Sequence, residues 1–199
     1  MEYNPSHYLM GCRLDNWLRL LKLCRFRILP EKRGQALIIT LTSLFLAPVA
    51  QLESAITAVP ARRAKKTMKD PIFILGHWRS GTTYLQNLLT RDGQFSFSDP
   101  VSTDTFPYAR LMRRVLTKIH EGALDNARPM DNMKYRVDLP IEDTFAVAEI
   151  SPLSIIHMCA LPLRYDYFAK AAFVEDLGPR EHREWRRKYD YVLRKLTVI

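Results

Sequence analysis

The most regular hydrophobic pattern of the chain lies near its middle, between residues 71 and 89. Residues 72–75 form a short apolar run that contains β-branched side chains, which is typical of a strand buried in a parallel sheet. Gly76 ends this run, and residues 76–83 read as a tight turn. Apolar side chains then recur at helical spacing, at Tyr84, Leu85, Leu88 and Leu89. The pattern predicts a buried strand, a glycine-bounded loop and a helix.

Two helices are predicted before this segment. Apolar side chains between Leu14 and Ile28 lie near one helical face with basic residues between them, which indicates a basic amphipathic helix on the domain or on a membrane surface. Residues 35–52 carry no charge over about 18 residues, just enough to span a bilayer. Several polar side chains and Pro48 argue against spanning, so a buried or interfacial helix is favoured. The basic segment 61–70 is predicted to be a solvated connector, and contact with lipid headgroups or an anionic acceptor is the alternative.

The second half of the chain alternates loops and helices. Residues 95–98 alternate polar and apolar side chains and predict a short second strand, whereas residues 127–139 show no period and predict an ordered loop. Further helices are predicted at 108–119, from Pro140, at 165–174 and from Arg180.

These elements predict an α/β fold, with a phosphate-loop (P-loop) type parallel sheet flanked by helices and preceded by an N-terminal helical segment. We place the segment at residues 1–60 and the α/β domain at residues 61–199.

Composition narrows the class of protein. The chain has 199 residues, 47% of them hydrophobic and 26% charged, and a net charge of +9, which together exclude wholesale disorder and suit an anionic partner. Three cysteines without a C-x-x-C pair and five histidines without an H-x-x-x-H pair predict neither a disulfide framework nor a metal site. The odd number of cysteines fits a reducing, cytoplasmic setting. The first 13 residues lack an apolar secretory core, so no secretory signal is predicted.

The loop itself indicates a phosphate-binding site. A glycine-rich turn between a strand and a helix directs backbone N–H groups and the positive end of the helix dipole at an anion. Residues 76–83 nearly match the nucleotide-hydrolase pattern G-x-x-x-x-G-K-[ST], but Thr82 replaces the lysine and the cation stands at Arg79. Without that lysine, hydrolysis of a nucleoside triphosphate loses electrostatic support, so a P-loop kinase is disfavoured.

The order Arg79-Ser80-Gly81-Thr82-Thr83 resembles the loop of sulfotransferases that use 3′-phosphoadenylyl sulfate (PAPS). The motif RPMDN at residues 128–132 and the Pro-x-Glu-Asp segment at residues 140–143 resemble the bacterial branch of that family. The resemblance implies that Arg79, Ser80, Gly81, Thr82 and Thr83 bind the donor, without a metal and without nucleic acid as a partner.

The same resemblance implies the catalytic roles. Arg79 would stabilise the bridging oxygen that leaves, because a guanidinium stays charged and does not readily give up a proton. Glu142 would act as the general base for a hydroxyl on a lipid, saccharide or small molecule. Asp143 and His157 are lesser candidates for the base, and His77 and Trp78 are more simply explained by packing of the loop. The N-terminal helices are candidates for contact with a membrane surface.

The resemblance covers about the N-terminal half of a family member. Family members bind the 3′-phosphate through a later strand followed by Arg and Ser, and no such segment follows Glu142. We therefore expect a truncated domain with weak nucleotide binding. The alternative function is a non-catalytic, basic module that binds nucleotides or a membrane surface and retains the loop.

Overall fold

The computed structural model describes residues 8–77, 80–123 and 136–199. Over these residues the regular structure is helical. The α-helices, in chain order, are α1 (Leu14–Leu23), α2 (Arg33–Thr67), α3 (Thr82–Leu89), α4 (Pro100–Asp104), α5 (Ala109–Ala123), α6 (Thr144–Ile150), α7 (His157–Ala160), α8 (Tyr165–Ala169) and α9 (Pro179–Leu196). Short 3-10 helices occur at Pro30–Lys32, Phe106–Tyr108, Pro162–Arg164 and Val174–Asp176.

The predicted parallel sheet is wrong, because the described ranges contain no β-strand. Residues 72–75 form no regular structure, and three of the four are exposed, with Ile72 at 62% and Leu75 at 89% exposure. Residues 95–98 likewise form no strand. A strand is stabilised by hydrogen bonds and side-chain pairs from neighbouring strands, so an apolar β-branched run fixes no sheet by itself.

Helix α2 is the longest element and the one on which the others pack. It contacts α1, α5 and α9. Its buried residues lie at intervals of three and four from Ala36 to Ser43 and again from Glu53 to Ala64, at positions that share one face of a helix. Trp17 of α1 donates a hydrogen bond from Nε1 to Thr40 Oγ1 of α2 at 2.9 Å. The helix is therefore fastened to the domain along most of its length.

The predictions for residues 35–70 are partly confirmed. The uncharged run is helical, but the helix continues through Pro60 to Thr67, so most of the predicted connector is the last part of α2. Among the described residues, one helical span, Pro30–Thr67, is long and apolar enough to cross a membrane by length and composition, and 22% of its most apolar window is buried.

A buried ion pair joins the middle of α2 to α9. Lys195 Nζ lies 2.6 Å from Glu53 Oε1, and the two side chains are 1% and 0% exposed. The Glu53 carboxylate also accepts hydrogen bonds from the backbone N–H groups of Arg110 and Leu111, at 3.0 and 2.8 Å. These amides belong to the first turn of α5, where a carboxylate satisfies otherwise unpaired donors and complements the helix dipole. One side chain of α2 therefore fixes the positions of both α5 and α9.

The core between α1, α6 and α9 contains a second buried acid. The Asn16 side chain donates a hydrogen bond to the Ala148 carbonyl at 2.7 Å, which ties α1 to α6. Next to it, Glu149 is 1% exposed, and neither of its carboxylate oxygens has a hydrogen-bond partner within the described residues. Burial, reinforced by the charge of Asp104, raises the pKa of Glu149 well above its usual value. Burial therefore favours the protonated form of Glu149.

Candidate phosphate-loop site

Gly76 and residues 80–82 approach one another closely, as the predicted loop requires. A Cβ atom added to Gly76 would come within 2.7 Å of both Ser80 Oγ and Thr82 Cγ2. Ser80 donates two hydrogen bonds back to the His77 carbonyl, from its backbone N–H at 3.2 Å and from its hydroxyl at 2.6 Å. Glycine at position 76 is thus needed for the close approach of the two ends of the loop.

Gly81 turns the chain from the loop into α3. Its φ angle of +89° lies in the left-handed region, which glycine adopts without the steric cost of a side chain. It is the N-cap of α3, and no side chain among the described residues caps the helix there. The first N–H groups of α3 therefore remain available to an anion at the end of the helix that carries partial positive charge.

The predicted donor-binding residues fall at this turn, with one exception. Ser80 and Gly81 are exposed, and Thr82 and Thr83 are half-buried in the first turn of α3. Trp78 and Arg79 lie outside the described residues, as does the RPMDN motif at residues 128–132. The structure therefore describes the backbone part of the predicted phosphate site, and the role of Arg79 stays a prediction.

The second predicted site segment, residues 140–143, is held by residues 98 and 189. Ile141 donates a backbone hydrogen bond to the Ser98 carbonyl at 2.9 Å, and the Ser98 hydroxyl donates to the Ile141 carbonyl at 2.6 Å. The predicted helix start at Pro140 is wrong, because α6 begins at Thr144 with Asp143 as its N-cap. Glu142 stands in the irregular turn before the helix with an exposed side chain.

The aromatic side chains of α9 connect this segment to the chain that leads into the loop. Tyr189 donates a hydrogen bond to Asp143 Oδ2 at 2.6 Å, and its ring stacks on Phe73 with centroids 6.3 Å apart. Trp185 stacks on the other side, 5.1 Å from Tyr189. Burial and then the charge of Asp143 raise the pKa of Tyr189, so its hydroxyl stays a donor. This contact places Phe73, three residues before Gly76, near the turn that carries Glu142.

The candidate bases differ in their hydrogen bonds and in their exposure to solvent. Asp143 already accepts the Tyr189 hydrogen bond. His157 is 0% exposed, with Nε2 2.9 Å from the Ser151 carbonyl and Nδ1 3.0 Å from the Tyr8 hydroxyl, so it is part of the core. Glu142 forms no side-chain hydrogen bond with the described residues, and none joins it to residues 80–83. Of the three side chains, that of Glu142 is the most accessible. The assignment of Glu142 as the base stays a prediction.

Tyr189 is the site residue that the sequence pattern did not single out. The helical spacing of Trp185 and Tyr189 predicted that both lie on the buried face of the last helix. That spacing says nothing about which distant residues the helix meets, so the contacts with Phe73 and Asp143 required the structure.

Comparisons with known proteins agree with the motif. Residues 71–152 match the family model described as "Sulfotransferase family". The chain is 29% identical over 199 residues to the omega-hydroxy-beta-dihydromenaquinone-9 sulfotransferases of Mycobacterium bovis and of Mycobacterium tuberculosis, and this alignment covers 96% of this chain and 50% of each relative. Among solved structures there is no significant match.

The chain thus spans about half the length of the curated relatives it matches. The family match begins at Pro71, runs through the loop and α3, and includes the Pro-x-Glu-Asp turn. The resemblance predicted from residues 79–83 and 140–143 is therefore confirmed: residues 71–152 match the sulfotransferase family model, and the chain is similar to about half the length of two mycobacterial sulfotransferases.

Proposed function

We propose that this chain carries the donor loop of a cytoplasmic sulfotransferase that moves a sulfuryl group from PAPS to a hydroxyl acceptor. The observation that carries the proposal is the uncapped N-terminus of α3 at Gly81, inside the segment that matches the family. Positively polarised N–H groups at a glycine turn fit the 5′-phosphosulfate of the donor. The family match selects sulfuryl transfer over other reactions of anionic nucleotides.

In this mechanism the loop binds and the arginine stabilises developing charge. The backbone N–H groups and hydroxyls of Ser80, Gly81, Thr82 and Thr83 hold the 5′-phosphate. An acceptor oxygen bonds to sulfur as the bond from sulfur to the bridging phosphate oxygen breaks, and the nucleotide leaves with that oxygen. Negative charge grows on the leaving oxygen, so Arg79 contributes more to the transition state than to the bound donor.

Glu142 accepts the proton of the acceptor hydroxyl. Its carboxylate is exposed, it precedes α6 in a turn fixed by Ser98, and the neighbouring Asp143 is held by Tyr189. The acceptor class that we favour is a hydroxyl-bearing lipid, because the relatives are named as sulfotransferases of an omega-hydroxy-beta-dihydromenaquinone. A saccharide or a small molecule is the alternative.

The test compares single variants of purified protein that contains the whole of residues 1–199. Transfer of labelled sulfate from PAPS to a hydroxylated quinone lipid is measured together with binding of adenosine 3′,5′-bisphosphate. Arg79→Ala should lower kcat by about a hundredfold and weaken binding much less. Glu142→Gln should keep binding and lower kcat by about a hundredfold or more, because an amide cannot accept the proton.

Arg91→Ala and Glu175→Gln are the matched controls, since both side chains are exposed and lie outside the loop and the Glu142 turn. Normal turnover in Glu142→Gln would remove Glu142 as the base. Equal losses of binding and turnover in Arg79→Ala would show an anchor for the donor instead of a transition-state contact.

A second candidate function is a non-catalytic module that binds an anionic nucleotide. The observation in its favour is that no hydrogen bond joins Glu142 to residues 80–83 in the part of the chain that the structure describes. Binding of the bisphosphate that depends on Gly81 and Arg79, without any transfer to acceptors, would select this alternative.

A further inference from the structure

One face of α2, which we call the inner face, packs against the rest of the domain. The buried residues of α2 are Ala36, Ile39, Ser43, Glu53, Thr57, Ala61 and Ala64. The inner face includes the charged end of Glu53, which is paired with Lys195 and with two backbone amides of α5. Separation of α2 from α5 and α9 would leave both charges of this pair without partners. The helix therefore lies along the domain, and its inner face is not available to lipid.

The outer face of α2 is apolar and exposed. We define it by the exposed apolar side chains between Leu37 and Val59, namely Leu37, Ile38, Leu41, Leu44, Phe45, Leu52, Ile56 and Val59. Leu37 is 58% exposed and Phe45 is 81% exposed. At 1.5 Å per residue, this face is about 33 Å long. A continuous apolar strip of this size on a soluble surface marks a place where another apolar surface binds.

Basic side chains stand at both ends of this outer face. Exposed cations follow Val59 at Arg62, Arg63 and Lys66, and another, Arg33, begins the helix. The connector before α2 adds exposed basic residues at Arg25, Arg27 and Lys32, next to the exposed apolar Phe26 and Leu29. The only acidic residue within α2 is the buried Glu53.

We propose that the outer face of α2 docks flat on the surface of a membrane that contains anionic lipids. The apolar side chains would enter the boundary between headgroups and acyl chains, and the basic residues at each end would meet anionic headgroups. A protein partner with an apolar surface has no need of cations at both ends of the contact. The charge pattern therefore favours an anionic bilayer over a second copy of this chain. Most backbone groups of α2 are hydrogen-bonded within the helix, as contact with acyl chains requires; the exceptions are the helix ends and the carbonyls of Leu44 and Ile56, which lie four residues before Pro48 and Pro60 and lack the regular donor.

The arrangement excludes a membrane-spanning role for α2 in the folded domain. A single spanning helix faces lipid on all sides, whereas α2 has a face that packs on α1, α5 and α9. The helix passes the length and hydropathy criteria for a span, but its inner side holds an ion pair that would be separated on insertion. Docking in the plane of the surface uses the outer face and leaves the pair intact.

The test is co-sedimentation of protein containing residues 1–199 with phosphatidylcholine vesicles, with and without phosphatidylglycerol, and without nucleotide or acceptor. Leu41→Glu/Phe45→Glu changes two exposed residues of the outer face and should lower the partition coefficient on the anionic vesicles by about tenfold or more. Val115→Glu/Ile119→Glu is the matched control, because these α5 residues are 53% and 58% exposed and receive the same added charge. This control variant should lose only the part of its binding to anionic vesicles that two added negative charges remove.

A second variant tests the basic ends independently of the apolar face. Arg62→Gln/Arg63→Gln/Lys66→Gln should weaken binding to the anionic vesicles by about fivefold per charge removed and leave binding to pure phosphatidylcholine unchanged. Circular dichroism of each variant checks that the helices are intact.

Three outcomes would overturn the proposal. The first is absence of wild-type binding to anionic vesicles. The second is equal loss of binding in the α2 and α5 variants. The third is a wild-type dimer in sedimentation velocity that Leu41→Glu/Phe45→Glu dissociates, which would assign the face to a second copy. Because the measurement needs neither PAPS nor acceptor, its failure would leave the proposed sulfuryl transfer standing.

Discussion

The buried pair of Glu53 and Lys195 offers the sharpest test of how α2 is held. The change is Glu53→Gln, which keeps the size of the side chain and removes its charge. In the wild type, Lys195 Nζ is 2.6 Å from Glu53 Oε1, donates to the Phe106 carbonyl and lies 4.4 Å from the centroid of the Phe106 ring. The carbonyl and ring remain in the variant, but the counterion is gone.

The expected loss in the free energy of unfolding depends on whether Lys195 stays charged or loses its proton when Glu53 is removed. A lysine with an ordinary pKa of about 10.4 needs about 4.6 kcal/mol to lose its proton near pH 7. Burial already lowers the pKa of Lys195 despite the attraction of Glu53, so the cost of neutralisation is below that limit. Removal of one partner from a buried pair costs about 3–5 kcal/mol. A glutamine oxygen can still accept from one of the two α5 amides, so we expect Glu53→Gln to lower the free energy of unfolding by about 3–4 kcal/mol.

The assay is equilibrium unfolding in urea, followed by circular dichroism, for the wild type, Glu53→Gln, Lys195→Met and the double variant. The double variant should cost less than the sum of the single variants by about 2 kcal/mol or more, because it leaves no unpaired charge. Glu184→Gln is the control: it breaks the ion pair with Arg19, whose side chain is 53% exposed, and should cost less than about 1 kcal/mol. A loss below about 1 kcal/mol in Glu53→Gln, or additive single variants, would refute the reasoning.

Two further predictions concern the buried acid and the loop. In the wild type, the pKa of Glu149 is raised in the folded state, so the folded protein holds a proton that the unfolded chain releases above about pH 4.3, and stability falls as pH rises from there towards the folded pKa. Glu149→Gln cannot ionise, so its free energy of unfolding should exceed that of the wild type by an amount that grows with pH. If the urea midpoints of the two proteins changed with pH in the same way, this prediction would be contradicted. Gly76→Ala should weaken binding of adenosine 3′,5′-bisphosphate at the loop, because its Cβ would come within 2.7 Å of Ser80 Oγ and Thr82 Cγ2. Gly93→Ala, whose Cβ meets no atom within 4 Å, should bind normally in the same titration.

The sequence predicted the helices well where one short stretch contains the whole signal. The amphipathic patterns around Leu14 and from Arg180 became α1 and α9, and the helix predicted at 108–119 became α5, Ala109–Ala123. Each pattern repeats within a few residues, so the information is local. The glycine loop was predicted for the same reason, since the positive φ of Gly81 and the close contact at Gly76 depend on the glycines themselves.

The strand prediction failed because a strand depends on residues far away in the chain. Residues 72–75 have the composition of a buried strand, yet Leu75 is 89% exposed. Phe73 makes an aromatic contact with Tyr189, more than a hundred residues later. For the same reason, no local pattern could reveal that Glu53, the one acidic residue of α2, pairs with Lys195 near the other end of the chain.

The chain exposes apolar side chains in two places that require different partners. The outer face of α2 belongs to a helix most of whose backbone groups are hydrogen-bonded within it, so acyl chains can cover that face at little cost to the backbone. Residues 72–75 form no regular structure, and within the described residues no backbone hydrogen bond joins them to another segment. Acyl chains offer such backbone groups no partner, and an unpaired N–H or C=O in hydrocarbon costs several kcal/mol. The membrane-docking proposal therefore extends to α2 and stops before residue 72, which leaves the loop at residues 76–83 on the aqueous side, where a charged nucleotide can reach it.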